Sequence, residues 1–194
     1  STASDAIVTF DADGIIRQSD SAIREKIQAM PDGVYSNQLK VETQDEEALL
    51  LKCSLEIKAD TITVDFAGSS SIVPYAINVP ICYTRSWCAY NLKCLTTPSI
   101  PNNLANVLPM EVVAPEDCIL NAQHPAATCG RNTVGWYVVP LLMGAFAKAI
   151  PEAVQAETGM AMTVVFNGKK QDGRKLLDQY FATGGIGGMT ELDG

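Results

Sequence analysis

Basic residues are scarce in this sequence, which carries 14 lysines and arginines against 22 aspartates and glutamates and has a net charge of −8. A protein that binds nucleic acid or an anionic membrane surface needs a basic patch that attracts phosphate groups. The composition therefore argues against both classes of partner.

A hydrophobic run long enough to span a bilayer is also lacking. The longest strongly apolar run, Trp136–Ile150, has 15 residues and is interrupted by Pro140, Gly144 and Lys148, whereas a spanning helix needs about 20 residues. The N-terminal residues do not combine a basic flank, an apolar segment and a small-residue cleavage site. We expect a cytoplasmic protein that has no membrane contact.

Histidine is nearly absent, since His124 is the only one, and the six cysteines include no C-x-x-C pair. A zinc site needs closely spaced cysteine or histidine ligands, so the sequence predicts no metal site. With 47% hydrophobic residues the chain has enough apolar material for one sizeable core without disulfides. We therefore expect the cysteines to be buried free thiols.

The chain has no initiator methionine and ends in a glycine-rich stretch that begins at Gly184–Gly188. Glycine-rich loops can hold phosphate groups, but the Walker spacing and its lysine are absent here. A close backbone crossing or an interface strand is the favoured interpretation. We expect the chain to be an excised segment of a larger protein that does not hold a complete catalytic site.

Short hydrophobic patterns at the start of the chain predict a hairpin followed by a helix. Ala6–Phe10 has the composition of a strand, and Asp11–Gly14 supplies turn residues before Ile15 and Ile16. A helix is expected next, because Ile23, Ile27 and Met30 recur at helical spacing before a Pro-Asp-Gly stop.

The clearest pattern is the strict alternation of apolar and polar residues between Leu51 and Phe66. This alternation predicts an antiparallel hairpin with one face in water, turning at Ala59 and Asp60. The small residues Ala67–Ser71 follow, and they permit a close approach by another chain segment or a ligand, or form a simple loop.

The remaining patterns predict two apolar helices and three short strands. One helix is expected to begin at an Asn78 N-cap, with Pro80 in its first turn, and to end near Leu95. The other, Arg131–Ala149, contains Pro140, which should kink or divide it. The strands are Met110–Ala114, Met160–Phe166 and Leu176–Thr183.

Together these elements predict an α+β fold, in which antiparallel hairpins pack against two or three apolar helices. The length favours a single domain over residues 1–194, with residues 1–75 and 76–194 as alternative lobes.

Three charged or titratable residues are candidates for chemistry, each with a plain structural alternative. Asp65 on the outer face of a strand can bind a metal or polar substrate, or simply face solvent. Arg131 at a helix start opposes the helix dipole, so a carboxylate or an anionic ligand is expected beside it. His124 lies between Cys118 and Cys129, but a hydrogen-bonded loop histidine is favoured over a Cys–His dyad.

Several stretches, taken in order, resemble the hydantoinase B/5-oxoprolinase family, whose relatives include the large subunits of ATP-dependent acetone and acetophenone carboxylases. The stretches that carry the resemblance are Met30–Tyr35, Ile62–Ser70, Asn78, Pro101–Asn103, Ala114–Asn121, Pro125–Ala127 with Arg131, and Gly184–Gly188 closing on Asp193 and Gly194. They cover nearly the whole chain.

The sequence departs from the family pattern at two turns and in one region. Leu104 and Ala105 stand where the family usually has a glycine after the Pro-Asn pair, and Asp117 replaces another glycine. Aspartate tolerates a positive φ better than most residues. The histidine- and aspartate-rich region that resembles a metal site in this family has no counterpart here.

The resemblance implies a parent enzyme that uses ATP to open a cyclic amide, with a carboxylase acting on a ketone as the alternative. It also implies a hetero-oligomer in which a hydantoinase A-type subunit handles the nucleotide. ATP with Mg²⁺ and a divalent metal are then expected in the full complex, and no cofactor or metal is expected on this segment. Asp65, Asn78, His124 and Arg131 are the candidates for a contribution to the site.

Two other hypotheses remain open at this stage. The apolar helices, Val79–Leu95 and Arg131–Ala149, favour a module that docks a partner and has no catalytic role. An independent Cys–His hydrolase built on His124 is the least favoured alternative.

Overall fold

The computed structural model describes residues 11–43, 47–159, 162–185, 187–190 and 193. The chain divides into two compact units, Ser1–Ile150 and Pro151–Gly194. The strand predicted at Ala6–Phe10 lies outside the described residues. Whether residues 1–194 act as one domain of a larger subunit stays a prediction.

The first element in the described part of the chain is a helix, α1 (Ala12–Gln28), and not the second half of a hairpin. The Asp11 side chain caps it by accepting a hydrogen bond from the Gly14 N–H at 2.8 Å, and Asp13 in the first turn favours the helix dipole. The predicted turn at Asp11–Gly14 is therefore wrong, because these residues begin a helix whose Ile23 and Ile27 are buried.

Four strands form the sheet of the first unit, in the order β1 (Gly33–Val41), β2 (Leu49–Lys58), β3 (Thr61–Asp65) and β4 (Met110–Val113). The predicted hairpin is confirmed as β2 and β3, which pair antiparallel. β1 pairs antiparallel with β2 and was missed, because its residues alternate between exposed and only half-buried positions.

The last strand differs from the others because β4 pairs parallel with β3. A parallel neighbour needs a long crossover, which here contains α2 (Ile81–Thr96) and a short 3₁₀ turn at Leu104–Asn106. The α2 prediction is confirmed, although the residue at the N-cap position is Pro80 and not Asn78.

The second apolar helix is divided in two, as its proline suggested. A short α3 (Asn132–Gly135) precedes α4 (Val138–Phe146), so Pro140 lies in the first turn of α4. A proline fits a first turn because the N–H it lacks would have no partner there. Helix α4 packs against β1 and β2, and α1 packs against β3.

The core lies between the helices and one face of the sheet. The sheet contributes alternate residues that are almost fully buried, among them Leu51, Leu55, Ile57, Ile62 and Val64. The opposite face of the sheet remains exposed or half-buried, as the period of two requires.

The second unit contains a hairpin of two antiparallel strands, β5 (Met162–Lys169) and β6 (Lys175–Ala182). Both strands were expected, but β5 extends beyond the predicted end at Phe166, which narrows the turn to 170–174. The α+β prediction is confirmed for the described residues, with the parallel β3–β4 pair as a refinement. No helix among these residues is long and apolar enough to cross a membrane.

Candidate functional site

Two loops leave the same edge of the sheet and pack against each other. The first loop, residues 66–80, follows β3, and the second loop, residues 114–131, follows β4. Since β3 and β4 are parallel, their carboxyl ends meet at one edge, which is where binding sites often form in sheets with parallel strands. This shared edge is the structural basis of the candidate site.

Backbone hydrogen bonds join the two loops along their length. The N–H of Ile119 donates to the carbonyl of Ser70 at 2.9 Å, and the N–H of Ile72 donates to that of Asp117 at 2.8 Å. Further along, the N–H of Gly130 donates to the carbonyl of Ala76 at 2.6 Å. The two loops therefore form one connected body rather than two independent segments.

The small residues after β3 allow the first loop to approach β2 closely. The Ser69 hydroxyl accepts from the Lys52 N–H at 2.9 Å and donates to the Lys52 carbonyl at 3.1 Å. The Ser70 hydroxyl accepts from the Leu50 N–H at 2.9 Å. Of the interpretations left open for Ala67–Ser71, the close approach of a chain segment is the one the structure shows.

Asn78 is fully buried and holds both loops in place. Its side-chain oxygen accepts from the Val73 N–H at 2.8 Å, and its amide nitrogen donates to the carbonyls of Val73 and Tyr75, both at 2.8 Å. The same nitrogen donates to the Ala127 carbonyl of the second loop at 3.0 Å. An amide with these four contacts has no donor left for a ligand, so Asn78 positions the loops.

His124 lines a cleft of about 440 Å³ between the two loops. Asp117 and Gln123 line it too. Val73 and Ala127, which are both hydrogen-bonded to Asn78, also line the cleft. The His124–Pro125 peptide bond is cis. The residues that line the cleft thus include a histidine and an aspartate, whose side chains can exchange protons or bind a polar substrate. The amide nitrogen of Gln123 already donates to the carbonyl and the side-chain oxygen of Asn121.

A second cleft, of about 460 Å³, also borders the first loop. Ser70, Ser71 and Val73 line it from that loop, and Leu49 at the start of β2 lines it from the sheet. Residues 72–73 of the first loop border the His124 cleft as well. The two clefts therefore share Val73 of the first loop.

Asp65 lies at the end of β3, and its carboxylate accepts a hydrogen bond from the Ala67 N–H at 2.9 Å. This contact is an Asx turn that directs the chain into the first loop. Asp65 is half-buried on the outer face of the sheet, and it does not line the His124 cleft.

Arg131 lies just before α3, and its guanidinium carbon is 5.4 Å from the ring centre of Tyr83. This is a cation–π contact between the end of the second loop and α2. The group found beside Arg131 is thus an aromatic ring, where a carboxylate or an anionic ligand was expected.

Neither the buried Cys118 nor a cluster of possible metal ligands adds chemistry to the site in the described part of the chain. All six cysteines are free, but Cys82, Cys94 and Cys129 are exposed, so the prediction that all are buried is wrong for these three. Burial raises the pKa of the Cys118 thiol, which disfavours the thiolate that a nucleophile needs. No three or more His, Cys, Asp or Glu side chains in the described residues are grouped to hold a metal ion.

The sequence identified Asn78 and His124 as candidates but could not show that they belong to the same site. The joining groups are Val73 and Ala127, whose backbone atoms bond to Asn78 while both residues line the cleft. The parallel pairing of β3 with β4 brings their two loops together. The signals in the sequence were the composition of these loops, which are rich in small residues and proline, and the family stretches that lie in them.

Comparison with known proteins gives one consistent family. The sequence matches the family model described as hydantoinase B/oxoprolinase over residues 3–194. The B component of a "Putative D-/L-hydantoinase" of Pseudomonas sp. (strain NS671) is 26% identical over 171 residues, which is 81% of this chain and 29% of the relative. 5-Oxoprolinase 1 of Arabidopsis thaliana is 26% identical over 132 residues, 66% of this chain and 10% of the relative.

Two solved structures share the fold. The ATP-dependent caprolactamase from Pseudomonas jessenii has a TM-score of 0.68 at 21% identity, covering 87% of this chain and 31% of that one. A nucleotide-free acetone carboxylase has a TM-score of 0.68 at 15% identity, covering 88% of this chain and 26% of that one. The chain spans less than a third of the length of each of these relatives. The match over residues 3–194 shows that the chain belongs to the hydantoinase B/oxoprolinase family.

Proposed function

We propose that this chain is a domain of an ATP-dependent amidohydrolase that opens a cyclic amide, as a hydantoinase or a 5-oxoprolinase does. The observation that carries the proposal is the family match over residues 3–194. The names of two relatives, one a hydantoinase component and the other a 5-oxoprolinase, support cyclic-amide chemistry.

In this proposal the His124 cleft contributes to substrate contact, and Asn78 keeps its walls in place. The amide bond of a cyclic amide presents one carbonyl oxygen and one N–H. The imidazole of His124 can donate to the first and the carboxylate of Asp117 can accept from the second, whereas the amide nitrogen of Gln123 already donates to Asn121. Ring opening requires proton transfer to the leaving nitrogen, a role for which a histidine is suited. Asp65 and Arg131 act indirectly, through the Asx turn and the contact with Tyr83.

ATP, Mg²⁺ and a further divalent metal are implied by the family resemblance, and the described residues do not fit a metal, since they contain no group of three or more candidate ligands. We propose that this chain assembles with a hydantoinase A-type subunit in a cytoplasmic hetero-oligomer and that the chain is inactive alone. The short share of each relative that it spans supports the second point.

The experiment compares this chain alone with the full subunit of which we propose it is a domain, co-expressed with a hydantoinase A-type subunit. Each preparation receives ATP, Mg²⁺ and hydantoin, 5-oxoproline or caprolactam, and both ring opening and ADP release are measured. The proposal predicts a complex that opens one of the cyclic amides only when ATP is present, and no turnover by the chain alone. Turnover by the chain alone would contradict the claim that it needs a partner.

The same preparations separate the alternatives. The TM-score with acetone carboxylase keeps a carboxylase domain as a second candidate, and ATP-dependent fixation of bicarbonate onto a ketone without ring opening would favour it. A complex that forms but consumes neither class of substrate would favour a non-catalytic interaction module.

A further inference from the structure

A third cleft, of about 590 Å³, lies between helix α2 and the connection that follows it. Residues 85–94 of α2 line one side and residues 98–107 of the connection line the other, so none of its lining residues belongs to the first or the second loop. The family stretch Pro101–Asn103 lies in this wall and takes no part in the His124 cleft. We call this opening the α2 cleft, and its volume is within the usual range for small-molecule sites.

The walls of the α2 cleft are fixed to each other and to helix α1. The ammonium of Lys93 on α2 donates to the carbonyls of Thr97, at 3.3 Å, and of Ile100. From the connection, the amide nitrogen of Asn103 donates to the Ser19 hydroxyl of α1 at 2.9 Å. The cleft is therefore formed before a ligand arrives, which lowers the ordering cost of binding.

The charges that line the α2 cleft are positive. Lys93 and Arg85 both line it, and the exposed Arg85 takes part in none of the ion pairs among the described residues. Residues 67–110 contain no aspartate or glutamate. Of the main elements that pack against these walls, α1 and β4 contain acidic residues, but none of those residues lines the cleft. Arg85 is therefore available for an anion, and its planar guanidinium suits a carboxylate.

Two amides in the wall leave one donor and one acceptor for a ligand. The amide nitrogen of Asn106 donates to the side-chain oxygen of Asn102 at 2.9 Å. Asn106 is only 9% exposed, and its own side-chain oxygen is buried without a hydrogen-bond partner in the described part of the chain. An unpaired buried acceptor is unfavourable, so a ligand N–H that reaches this oxygen removes a cost. The amide nitrogen of Asn102 remains free to donate, and together the two groups complement an amide.

Apolar side chains complete the lining of the α2 cleft. Tyr90 on α2 is 50% exposed, and Val107 on the connection is 42% exposed; both line the cleft, as does Ala89. An apolar group that covers them removes this surface from water. The lining thus combines a cation, an amide complement and an apolar surface.

We propose that the α2 cleft binds a small N-acyl amino acid with an apolar side chain. The carboxylate of this ligand pairs with Arg85, and its amide contacts Asn102 and Asn106. Its apolar side chain covers Tyr90 and Val107. The site is separate from the His124 cleft, so the proposal goes beyond the proposed function and does not depend on it.

The first test measures binding of N-acetyl-L-leucine to the purified 194-residue chain by calorimetry and NMR titration. The proposal predicts saturable binding with a dissociation constant of about 1 mM or lower. Three compounds each lack one feature: N-acetyl-L-leucine amide has no carboxylate, 4-methylpentanoate has no N-acyl group and N-acetylglycine has no apolar side chain. Each should bind about threefold or more weakly.

The second test locates the ligand through Cys94, an exposed thiol that lines the α2 cleft. Cys82 and Cys129 are also exposed but do not line it. Saturating N-acetyl-L-leucine should slow the reaction of iodoacetamide with Cys94 and leave the rates at Cys82 and Cys129 unchanged. Mass spectrometry of the digested protein measures the three rates separately.

The third test changes the walls of the cleft. Arg85→Gln should raise the dissociation constant of N-acetyl-L-leucine about threefold to tenfold. Ala89→Phe should abolish binding because the ring fills the cleft, with circular dichroism to check folding. Arg174→Gln, at a 75% exposed side chain outside the cleft, is the matched control and should bind as the parent does.

Three results would overturn the proposal. They are a parent chain with no saturable binding of N-acetyl-L-leucine, equal binding of any of the three truncated compounds, and equal protection of all three exposed cysteines. Binding that is indifferent to Arg85→Gln would contradict it as well. These readouts do not use catalysis, so a failure here leaves the proposed function unaffected.

Discussion

The amide nitrogen of Asn78 donates a hydrogen bond to the carbonyl of Ala127, 49 residues further along the chain, at 3.0 Å and so joins the two loops. The same side chain bonds to Val73 and Tyr75 within its own loop. Because both Val73 and Ala127 line the His124 cleft, the shape of that cleft depends on one buried amide.

Asn78→Ala tests this dependence. The change leaves three carbonyl groups and the Val73 N–H without their side-chain partner, so we expect the free energy of unfolding to fall by about 1–3 kcal/mol. Urea denaturation measures it. Asn121→Ala, which removes side-chain contacts to the carbonyls of Ala114 and Pro115 within the second loop, is a comparison that leaves the link between loops intact. An Asn78→Ala protein as stable as the parent would contradict the role of the amide.

Asp117 adopts a left-handed backbone conformation with φ of 62°. Its carbonyl accepts a hydrogen bond from the Ile72 N–H, so this conformation helps to hold the two loops together. Glycine adopts this conformation without strain and a β-branched residue does not. We expect Asp117→Gly to retain the stability of the parent and Asp117→Val to lose about 1–3 kcal/mol, measured by urea denaturation. Glu116→Val is the control, and equal effects at the two positions would argue against backbone strain.

Gly144 of α4 lies against Asn37 of β1. A Cβ built on Gly144 would lie only 2.1 Å from the Asn37 amide nitrogen, which donates to the Leu141 carbonyl at 2.9 Å. Gly144→Ala should therefore destabilise the protein by about 1–3 kcal/mol in spite of the better helix propensity of alanine. Most of the loss should disappear when Asn37→Ala is present. Thermal unfolding measures these changes. Gly168→Ala in β5 is the control, because a Cβ built on Gly168 has no other atom within 4 Å.

Burial raises the pKa of the Cys53 thiol from its ordinary value of 9.0 to about 11. Between these values the unfolded chain loses the thiol proton while the folded chain keeps it, so the folded state binds more protons and stability falls as pH rises. The slope for one thiol approaches about 1.4 kcal/mol per pH unit. Cys53→Ala should reduce the loss of unfolding free energy between about pH 9 and 10.5, measured with a reductant present. Cys82→Ala, at an exposed site, should leave this loss unchanged. Equal slopes of unfolding free energy against pH for the parent, Cys53→Ala and Cys82→Ala would exclude the effect.

The sequence was most informative where a hydrophobic pattern and burial agree. The alternation in β2 and β3 and the spacing of Ile23 and Ile27 each mark a side that faces the core. In β1 the side chains alternate between exposed and half-buried positions. Neither side is fully buried, so the sequence of this strand shows no clear hydrophobic alternation. At Asp11–Gly14 one set of residues suits both a turn and a capped helix start, and the packing of α1 on β3 decides between them.

The site was less accessible to sequence reasoning because its contacts join distant backbone atoms. Asn78 was interpreted as a helix cap, since an asparagine shortly before a proline satisfies that pattern. Its actual partners include Ala127, a residue with no polar side chain to reveal the contact. At Asp117 the sequence showed only that a family glycine is replaced; the φ there is positive, a conformation that aspartate tolerates better than most residues.

The central claim is that the cleft joined by Asn78 and lined by His124 takes part in ATP-dependent opening of a cyclic amide. The most direct measurement is the ring-opening rate of the assembled complex that carries His124→Ala, with Cys129→Ala as a control in the same loop and circular dichroism to check folding. The account predicts a fall in kcat of about 10²–10⁴-fold for His124→Ala and near-normal turnover for Cys129→Ala. A folded, assembled His124→Ala complex with the kcat and KM of the parent would contradict it.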